Sequence, residues 1–305
     1  MMCWVSGGAQ LQPMPKLRST TTLAVLLLLG VPLPQTPEVM SADLQPQTVE
    51  AFNRYVQATE ARIDKEVARA GIFLYIEGLP NPQRSETLAS LHHGDIYMDR
   101  LETRDGSGAV MTAPNALIHH WIGAVFIPRA TLRQVLDVVQ DYDHHQDIFQ
   151  PEVVRSRLIH HQGNDYQIFY RLRKKKVITV TLDTNHDVQY FPIDAARCRS
   201  RSVATRIAEV VDPGQPDEHE KPIGHDGGFL CRMNSYWRFE EKDGGVYVEV
   251  ESISLTRDIP FGLGFMIRPF VTSIPRESLY NTLGSTRSAV QAKIQQASVA
   301  SPNKR

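Results

Sequence analysis

The chain has 305 residues, of which 42% are hydrophobic and 22% charged, and this composition is typical of a globular protein with a sizeable core. Its 33 basic and 34 acidic residues leave a formal net charge of -1, so no overall positive field attracts a phosphate backbone. We therefore expect no nucleic-acid partner. Length alone allows either one large domain or two small ones.

The N-terminal residues carry a targeting signal. Lys16 and Arg18 precede the apolar run Leu23 to Val31, which is shorter than the ~20 apolar residues that a membrane-spanning helix needs. We interpret residues 1–42 as a secretory signal peptide with upstream residues, cleaved after Ala42. This predicts an exported protein, periplasmic or extracellular, with an uncleaved N-terminal anchor as the alternative.

Export would place the two cysteines of the mature chain in an oxidising compartment. Cys198 and Cys231 could then form a disulfide if they lie on neighbouring strands. Connectivity cannot be read from sequence, so the bond is a hypothesis.

Residues 43–115 form an N-terminal helix and a connector. The segment Val49 to Arg69 has apolar residues at helical spacing and is followed by Gly71, which predicts an amphipathic helix. The stretch Leu79 to Pro114 is polar and weakly patterned, so we interpret it as a connector with one short strand around Ile96 to Leu101.

Residues 116–297 have a sharper pattern, which begins with a strand, a helix and a short turn. These elements are predicted at Leu117–Ile127, Thr131–Val139 and Asp143–Phe149. Six strands are predicted next, at Val153–His160, Tyr166–Arg173, Val177–Tyr190, Arg199–Val211, Phe229–Glu240 and Val246–Leu255. Turn signals between these strands indicate an antiparallel meander. A long amphipathic helix, Arg276 to Gln295, ends the fold, and residues 298–305 are predicted to be a disordered tail.

This order of elements is that of the helix-grip fold, and specific residues resemble one family. The segment Gly244 to Pro260 resembles the last strand and following loop of START-like members of the SRPBCC superfamily, which includes polyketide cyclases, coenzyme Q-binding proteins and lipid-transfer domains. Trp237 with Phe239, and the segment Ile274 to Leu279, are similar too. The resemblance covers roughly Leu117 to Gln295. It implies an α+β fold, a curved antiparallel sheet wrapped around a long C-terminal helix, with an internal cavity for apolar molecules and no shared catalytic set.

The sequence also fixes the register of the last hairpin. If Asp243 and Gly244 form a two-residue turn, the two strands pair in one way. The pairs are Lys242 with Gly245, Arg238 with Glu249, Tyr236 with Glu251, Phe239 with Val248 and Trp237 with Val250. We expect the apolar face of this hairpin to look inward toward the terminal helix and the polar face to meet solvent.

The ligand-binding residues predicted from these patterns lie on the apolar face and just before the last helix. They are Met233, Trp237, Phe239, Val248, Val250, Phe265, Met266 and Phe270. Ordinary core packing would use the same residue types, so that alternative stays open. The resemblance further implies a gate at Gly262, Phe265 and Met266, with helix packing as the simpler interpretation.

Neither a metal site nor a cofactor is predicted. Adjacent histidines occur at His92-His93, His119-His120, His144-His145 and His160-His161. Neighbouring side chains on a strand point to opposite faces, so such pairs rarely bind one ion. The best local cluster for a metal, if one existed, would be Asp141, Asp143, His144, His145 and Asp147.

No catalytic residue is predicted either, because the chain contains no nucleophile elbow and no phosphate-binding loop. The leading function is therefore binding or transfer of a hydrophobic small molecule such as a lipid or isoprenoid. A non-metal cyclase or aromatase is the alternative, with Glu251, Tyr236 or His120 turned inward as acid or base. A partner-binding module with a solid interior is the third class.

One basic run, Arg171 to Lys176, stands out in this otherwise balanced sequence. We interpret it as a solvated turn between strands, with transient contact to a membrane surface as the alternative.

Overall fold

The computed structural model describes residues 44–69, 71–176, 178–258 and 264–300, with the backbone alone for 264–272 and 300. The predicted signal peptide, residues 1–42, and Gly262 lie outside the described residues. Five α-helices are found in these ranges: α1 Pro46–Val67, α2 Gln83–His93, α3 Leu132–Val139, α4 His145–Ile148 and α5 Gly264–Ala300. Within them, no helix combines the length and the apolar stretch that a bilayer span requires.

The described strands form a single antiparallel sheet. They are β1 Tyr97–Arg100, β2 Ala116–Pro128, β3 Val153–Gln162, β4 Asp165–Lys175, β5 Thr179–Pro192, β6 Arg197–Val211, β7 His219–Glu220, β8 Arg232–Lys242 and β9 Gly245–Arg257. Their order across the sheet is β1-β2-β9-β8-β6-β5-β4-β3, and the short β7 pairs with β6. The curved sheet is open and lies against the long C-terminal helix α5, so the predicted helix-grip α+β fold is confirmed.

The β8–β9 hairpin has the predicted register. Asp243 and Gly244 have φ values of 55° and 75°, as a two-residue type I′ turn requires. All five predicted cross-strand pairs are present, from Lys242 opposite Gly245 to Tyr236 opposite Glu251. The turn thereby fixes which side chains of β8 and β9 share a face of the sheet.

Gly123 on β2 marks a close contact between the sheet and α5. A Cβ atom there would lie 2.7 Å from Leu283 Cδ1 and 2.7 Å from Met98 Sδ, closer than real Cβ contacts come. Leu283 and Val290 of α5 are fully buried in the core that this packing creates, together with Val125 of β2.

Two helices differ from the sequence prediction. Helix α2 falls in the predicted connector, where its mixed polar sequence gave no clear periodicity, and it ends at the left-handed Gly94. Helix α5 begins at Gly264 instead of Arg276. The prediction took Pro269 and Pro275 as helix breakers, but each proline removes only a backbone hydrogen bond and the helix continues through both. It also continues through residue 300, into the segment predicted to be disordered.

The polar face of the β8–β9 hairpin does not meet solvent, so that prediction is wrong. Arg238, Glu249 and Glu251 are each 1% exposed. Helix α1 covers this face: Phe52 and Tyr55 of α1 join an apolar cluster with residues of β8 and β9. The charged residues can be buried because they are paired: Arg238 lies between Glu249 and Glu251, and Arg62 of α1 also pairs with Glu251.

The disulfide hypothesis is also wrong, because Cys198 and Cys231 are both free and buried. The β6–β8 register places Cys198 opposite Phe239, whereas Cys231 precedes the other end of β8. Most of the length of β8 therefore separates the two residues, and a disulfide requires Cα atoms within about 7 Å.

Candidate ligand-binding cavity

A hollow lies between the inner face of the sheet and α5. It consists of two adjoining pockets of about 180 and 160 Å³. Both pockets are lined by Leu172, Lys174, Met233, Ser235, Trp237, Ser278 and Thr282. A concave, largely apolar hollow with a few polar groups is the usual form of a small-molecule site.

A row of serines explains why the sheet and α5 do not close tightly. Ser202 of β6 lies opposite Ser235 of β8, and Ser235 lies opposite Ser252 of β9. All three residues line the hollow. Because a serine side chain is small, three neighbouring strands leave space where valine or leucine would fill the core.

The predicted ligand-binding residues fall into three groups. Met233 and Trp237 line both pockets, and Val250 lines one. Phe239 and Val248 line neither pocket: both are fully buried in the core, where α3 fills the space. The side chains of Phe265, Met266 and Phe270 lie outside the described residues, as does the predicted gate that includes Phe265 and Met266.

One end of the larger pocket is polar and aromatic, which the sequence interpretation missed. His145 Nδ1 is 2.7 Å from the Tyr170 hydroxyl, and the Tyr142 and Tyr190 hydroxyls are 2.9 Å apart. His186 packs edge-on against Tyr170, with ring centres 5.6 Å apart. All five side chains line the pocket. A period-two reading of β4 and β5 would have placed Tyr170, His186 and Tyr190 on the inner face.

Burial governs protonation at this end. Desolvation lowers the pKa of His145 to about 4, although the backbone of Val138 and the Asp141 carboxylate oppose the shift. Burial also lowers the pKa of His186 to about 4. Near neutral pH both imidazoles are therefore uncharged, and each has one N–H donor and one acceptor nitrogen.

Lys174 lines both pockets, and this corrects the interpretation of the basic run as a solvated turn. Its ammonium group pairs with Glu152 and donates a hydrogen bond to Ser278 Oγ at 2.6 Å. Burial lowers the pKa of Lys174, and the Glu152 carboxylate opposes that shift. In the same run Arg171 pairs with Asp183 at 2.7 Å, whereas Arg173, Lys175 and Lys176 are exposed.

The residues proposed as acid or base in an enzyme lie on the opposite face of the sheet. His120 Nε2 is 2.7 Å from Glu251, and His120 Nδ1 is 2.8 Å from the Tyr55 hydroxyl of α1. Tyr236 donates a hydrogen bond to Glu60 of α1 at 2.8 Å. The enzyme alternative required Glu251, Tyr236 or His120 to turn into the cavity, and this condition is not met, because these side chains bond to one another and to α1 on the opposite face.

Burial acts to raise the pKa of Glu251, but the His120 hydrogen bond and the charge of Arg62 outweigh it and hold the pKa at about 2. This carboxylate is thus ionised near neutral pH and holds α1 to the sheet through Arg62.

In the described part of the chain no group of three or more His, Cys, Asp or Glu side chains is arranged to hold a metal ion. The adjacent His119 and His120 bond to different partners, Thr256 at 2.9 Å and Glu251 at 2.7 Å. Each histidine of this pair therefore serves a separate contact.

Comparison with known proteins found no matching family model and no matching curated protein. Solved structures similar to the chain include a STAR-related lipid transfer protein fragment from Xanthomonas axonopodis, with 17% identity over 63% of this chain and 98% of that one, at a TM-score of 0.40. They also include the Zhui aromatase/cyclase from Streptomyces sp. R1128, with 13% identity over 58% of this chain and 96% of that one, at a TM-score of 0.40.

A third similar structure is human STARD10, with 9% identity over 71% of this chain and 84% of that one, at a TM-score of 0.39. START-like proteins are thus among the solved structures that resemble this chain, as predicted. The helix-grip fold itself is established by the strand order and registers of the chain.

Proposed function

We propose that this chain binds a hydrophobic small molecule, a lipid, isoprenoid or similar compound, in the hollow between the sheet and α5. The serine row Ser202, Ser235 and Ser252 carries the proposal, because it keeps open a space walled by Met233 and Trp237. Apolar surface removed from water there would contribute ~25 cal/mol per Å² to binding. The names of similar solved structures, a lipid transfer protein and an aromatase/cyclase, accord with a ligand of this class.

Transfer of the ligand between membranes is the finer part of the proposal. The exposed Arg173 and Lys175 adjoin Lys174, which lines the hollow. A transient contact of these cations with anionic lipid would bring the hollow near a membrane surface.

Export to the periplasm or the extracellular space, with or without an N-terminal anchor, stays a proposal that rests on residues 1–42.

The residues on which the cyclase or aromatase alternative was based do not line the hollow. Glu251, Tyr236 and His120 contact α1 on the far face of the sheet and cannot reach a molecule in the hollow. Binding without chemistry needs no such group and is favoured for that reason.

Native mass spectrometry of the full chain, purified from its own host, tests the proposal. We expect an added mass that organic extraction releases and identifies. Ser235→Leu would fill the centre of the hollow and abolish the added mass, whereas the matched Ser235→Ala variant would keep it. Wild-type protein that is repeatedly empty, and that takes up no lipid from phosphatidylcholine vesicles, would overturn the proposal.

A further inference from the structure

A single polar atom in the hollow stands out. His145 is 4% exposed and lines the larger pocket, and its Nε2 atom makes no hydrogen bond of good geometry to the described residues, although the backbone of Val138 and Val139 lies close enough to raise the His145 pKa. Its other ring nitrogen is bonded to the Tyr170 hydroxyl at 2.7 Å. Buried polar atoms in native proteins nearly always have a partner, so a buried nitrogen without one beside a hollow indicates a group that a ligand supplies.

The orientation of the imidazole ring is fixed by packing. The His145 ring stacks on Tyr170 at 5.8 Å and 11°, and lies edge-on to Phe149 at 4.8 Å and 88°. Tyr142 packs against it at 4.9 Å. With one nitrogen bonded and three aromatic neighbours around the ring, the imidazole is held in one orientation before a ligand arrives.

The chemistry of the ligand group follows from that of the imidazole. Burial keeps His145 uncharged near neutral pH, so Nε2 is either an N–H donor or a lone-pair acceptor, depending on the tautomer. A hydroxyl group can satisfy both tautomers because it donates and accepts. A carboxylate would lose its hydration here without gaining a free cation, because Lys174 already pairs with Glu152.

We propose that the ligand is an apolar molecule with a hydroxyl group, and that this hydroxyl hydrogen-bonds to His145 Nε2 at the aromatic end of the hollow. The inference rests on the proposed function. It adds a specificity-determining residue, His145, and a positioning residue, Tyr170, which orients the imidazole.

Calorimetric titration of the full chain with naphthalene, 2-naphthol and 2-naphthoate tests this inference. A net hydrogen bond corresponds to roughly two- to tenfold in affinity. We therefore expect the ratio of 2-naphthol to naphthalene affinity to fall about fivefold in His145→Phe. The control His144→Phe changes a neighbouring side chain that is 65% exposed and should leave the ratio unchanged. Wild-type protein should bind 2-naphthoate most weakly.

An unchanged ratio in a folded His145→Phe variant that still binds naphthalene would overturn the hydroxyl inference and leave the proposed function standing. Wild-type protein that binds none of the three compounds would overturn both. If His145→Phe does not fold, the nitrogen NMR signal of His145 Nε2 in wild-type protein decides instead. It should move with 2-naphthol and not with naphthalene, and equal movement with both would refute the inference.

Discussion

Arg238 Nε lies 2.9 Å from the carboxylate of Glu249 on the neighbouring strand, and both side chains are buried. Glu249 also accepts hydrogen bonds from the backbone N–H groups of Tyr75 and Ile76, at 2.9 and 3.2 Å. Arg238 in turn reaches Glu66 at the end of α1. This pair therefore joins the sheet to the N-terminal segment that covers it.

Removing Arg238 should be strongly destabilising. In Arg238→Met the carboxylates of Glu249 and Glu251 lose a buried cation, and breaking such a pair costs about 3–5 kcal/mol. Arg54→Met serves as the control, because Arg54 and its partner Glu50 are largely exposed and such pairs contribute about 1 kcal/mol or less. Urea unfolding measures both; a loss below about 1 kcal/mol in Arg238→Met would contradict the buried-network interpretation.

Stability should fall as the pH drops from 6.5 toward 4. Burial lowers the pKa of His186 to about 4 in the folded protein, from about 6.5 in the unfolded chain. Within that window the unfolded chain binds a proton and the folded protein does not, so the free energy of unfolding decreases as pH falls. At about 1.4 kcal/mol per pKa unit, His186 contributes roughly 3 kcal/mol to the change. Urea titrations at several pH values should show a shallower dependence in His186→Phe, and an identical dependence would refute this role.

Two glycines at the helix–sheet contact should respond in opposite directions to alanine. Gly123→Ala forces a methyl group against Leu283 and Met98, and such overpacking costs about 1–3 kcal/mol. Gly284 of α5 has ordinary space, with Ile96 Cδ1 at 3.5 Å, so Gly284→Ala should gain about 0.5–1 kcal/mol from helix propensity. Thermal unfolding compares the two variants. Equal effects of the two substitutions would mean that α5 does not pack on β2 as described.

The two strand-region cysteines should behave as free, protected thiols. Burial raises the pKa of both Cys198 and Cys231 to about 11, so little nucleophilic thiolate forms near neutral pH. Alkylation in denaturant without reductant should modify both residues, as read by peptide mass spectrometry, whereas native protein should react slowly. A peptide pair linked through Cys198 and Cys231 would contradict the fold.

Much of the fold could be predicted because it depends on local patterns. The Asp243-Gly244 turn was enough to fix the β8–β9 register, since only one pairing matches Trp237 with Val250 and Arg238 with Glu249. The antiparallel order of β3, β4, β5, β6, β8 and β9 then followed from the turns between them, whereas the pairing of β2 with β9 is long-range and was not predicted. The burial of Arg238 could not be predicted, because it depends on α1, which is far away in the chain and covers the face that charged residues usually expose.

The site was predicted in part for a similar reason. Met233, Trp237 and Val250 were found because they are large and apolar. The residues that open the space are small, and serines in a strand give no signal until the registers of β6, β8 and β9 align Ser202, Ser235 and Ser252. Lys174 was missed because a lysine within a basic run is usually solvated, whereas here Glu152 holds it inward.

The pairing of β2 with β9 has a consequence for how the chain folds. Ala116 lies opposite Arg257 and Pro128 lies opposite Gly245, so the strands β3 to β8 form the loop between them. The hairpins within that loop can form from nearby residues. The pairing of β2 with β9 also requires closure of the whole loop, which costs the chain conformational entropy. We therefore expect closure of β2 onto β9 to limit the rate of folding.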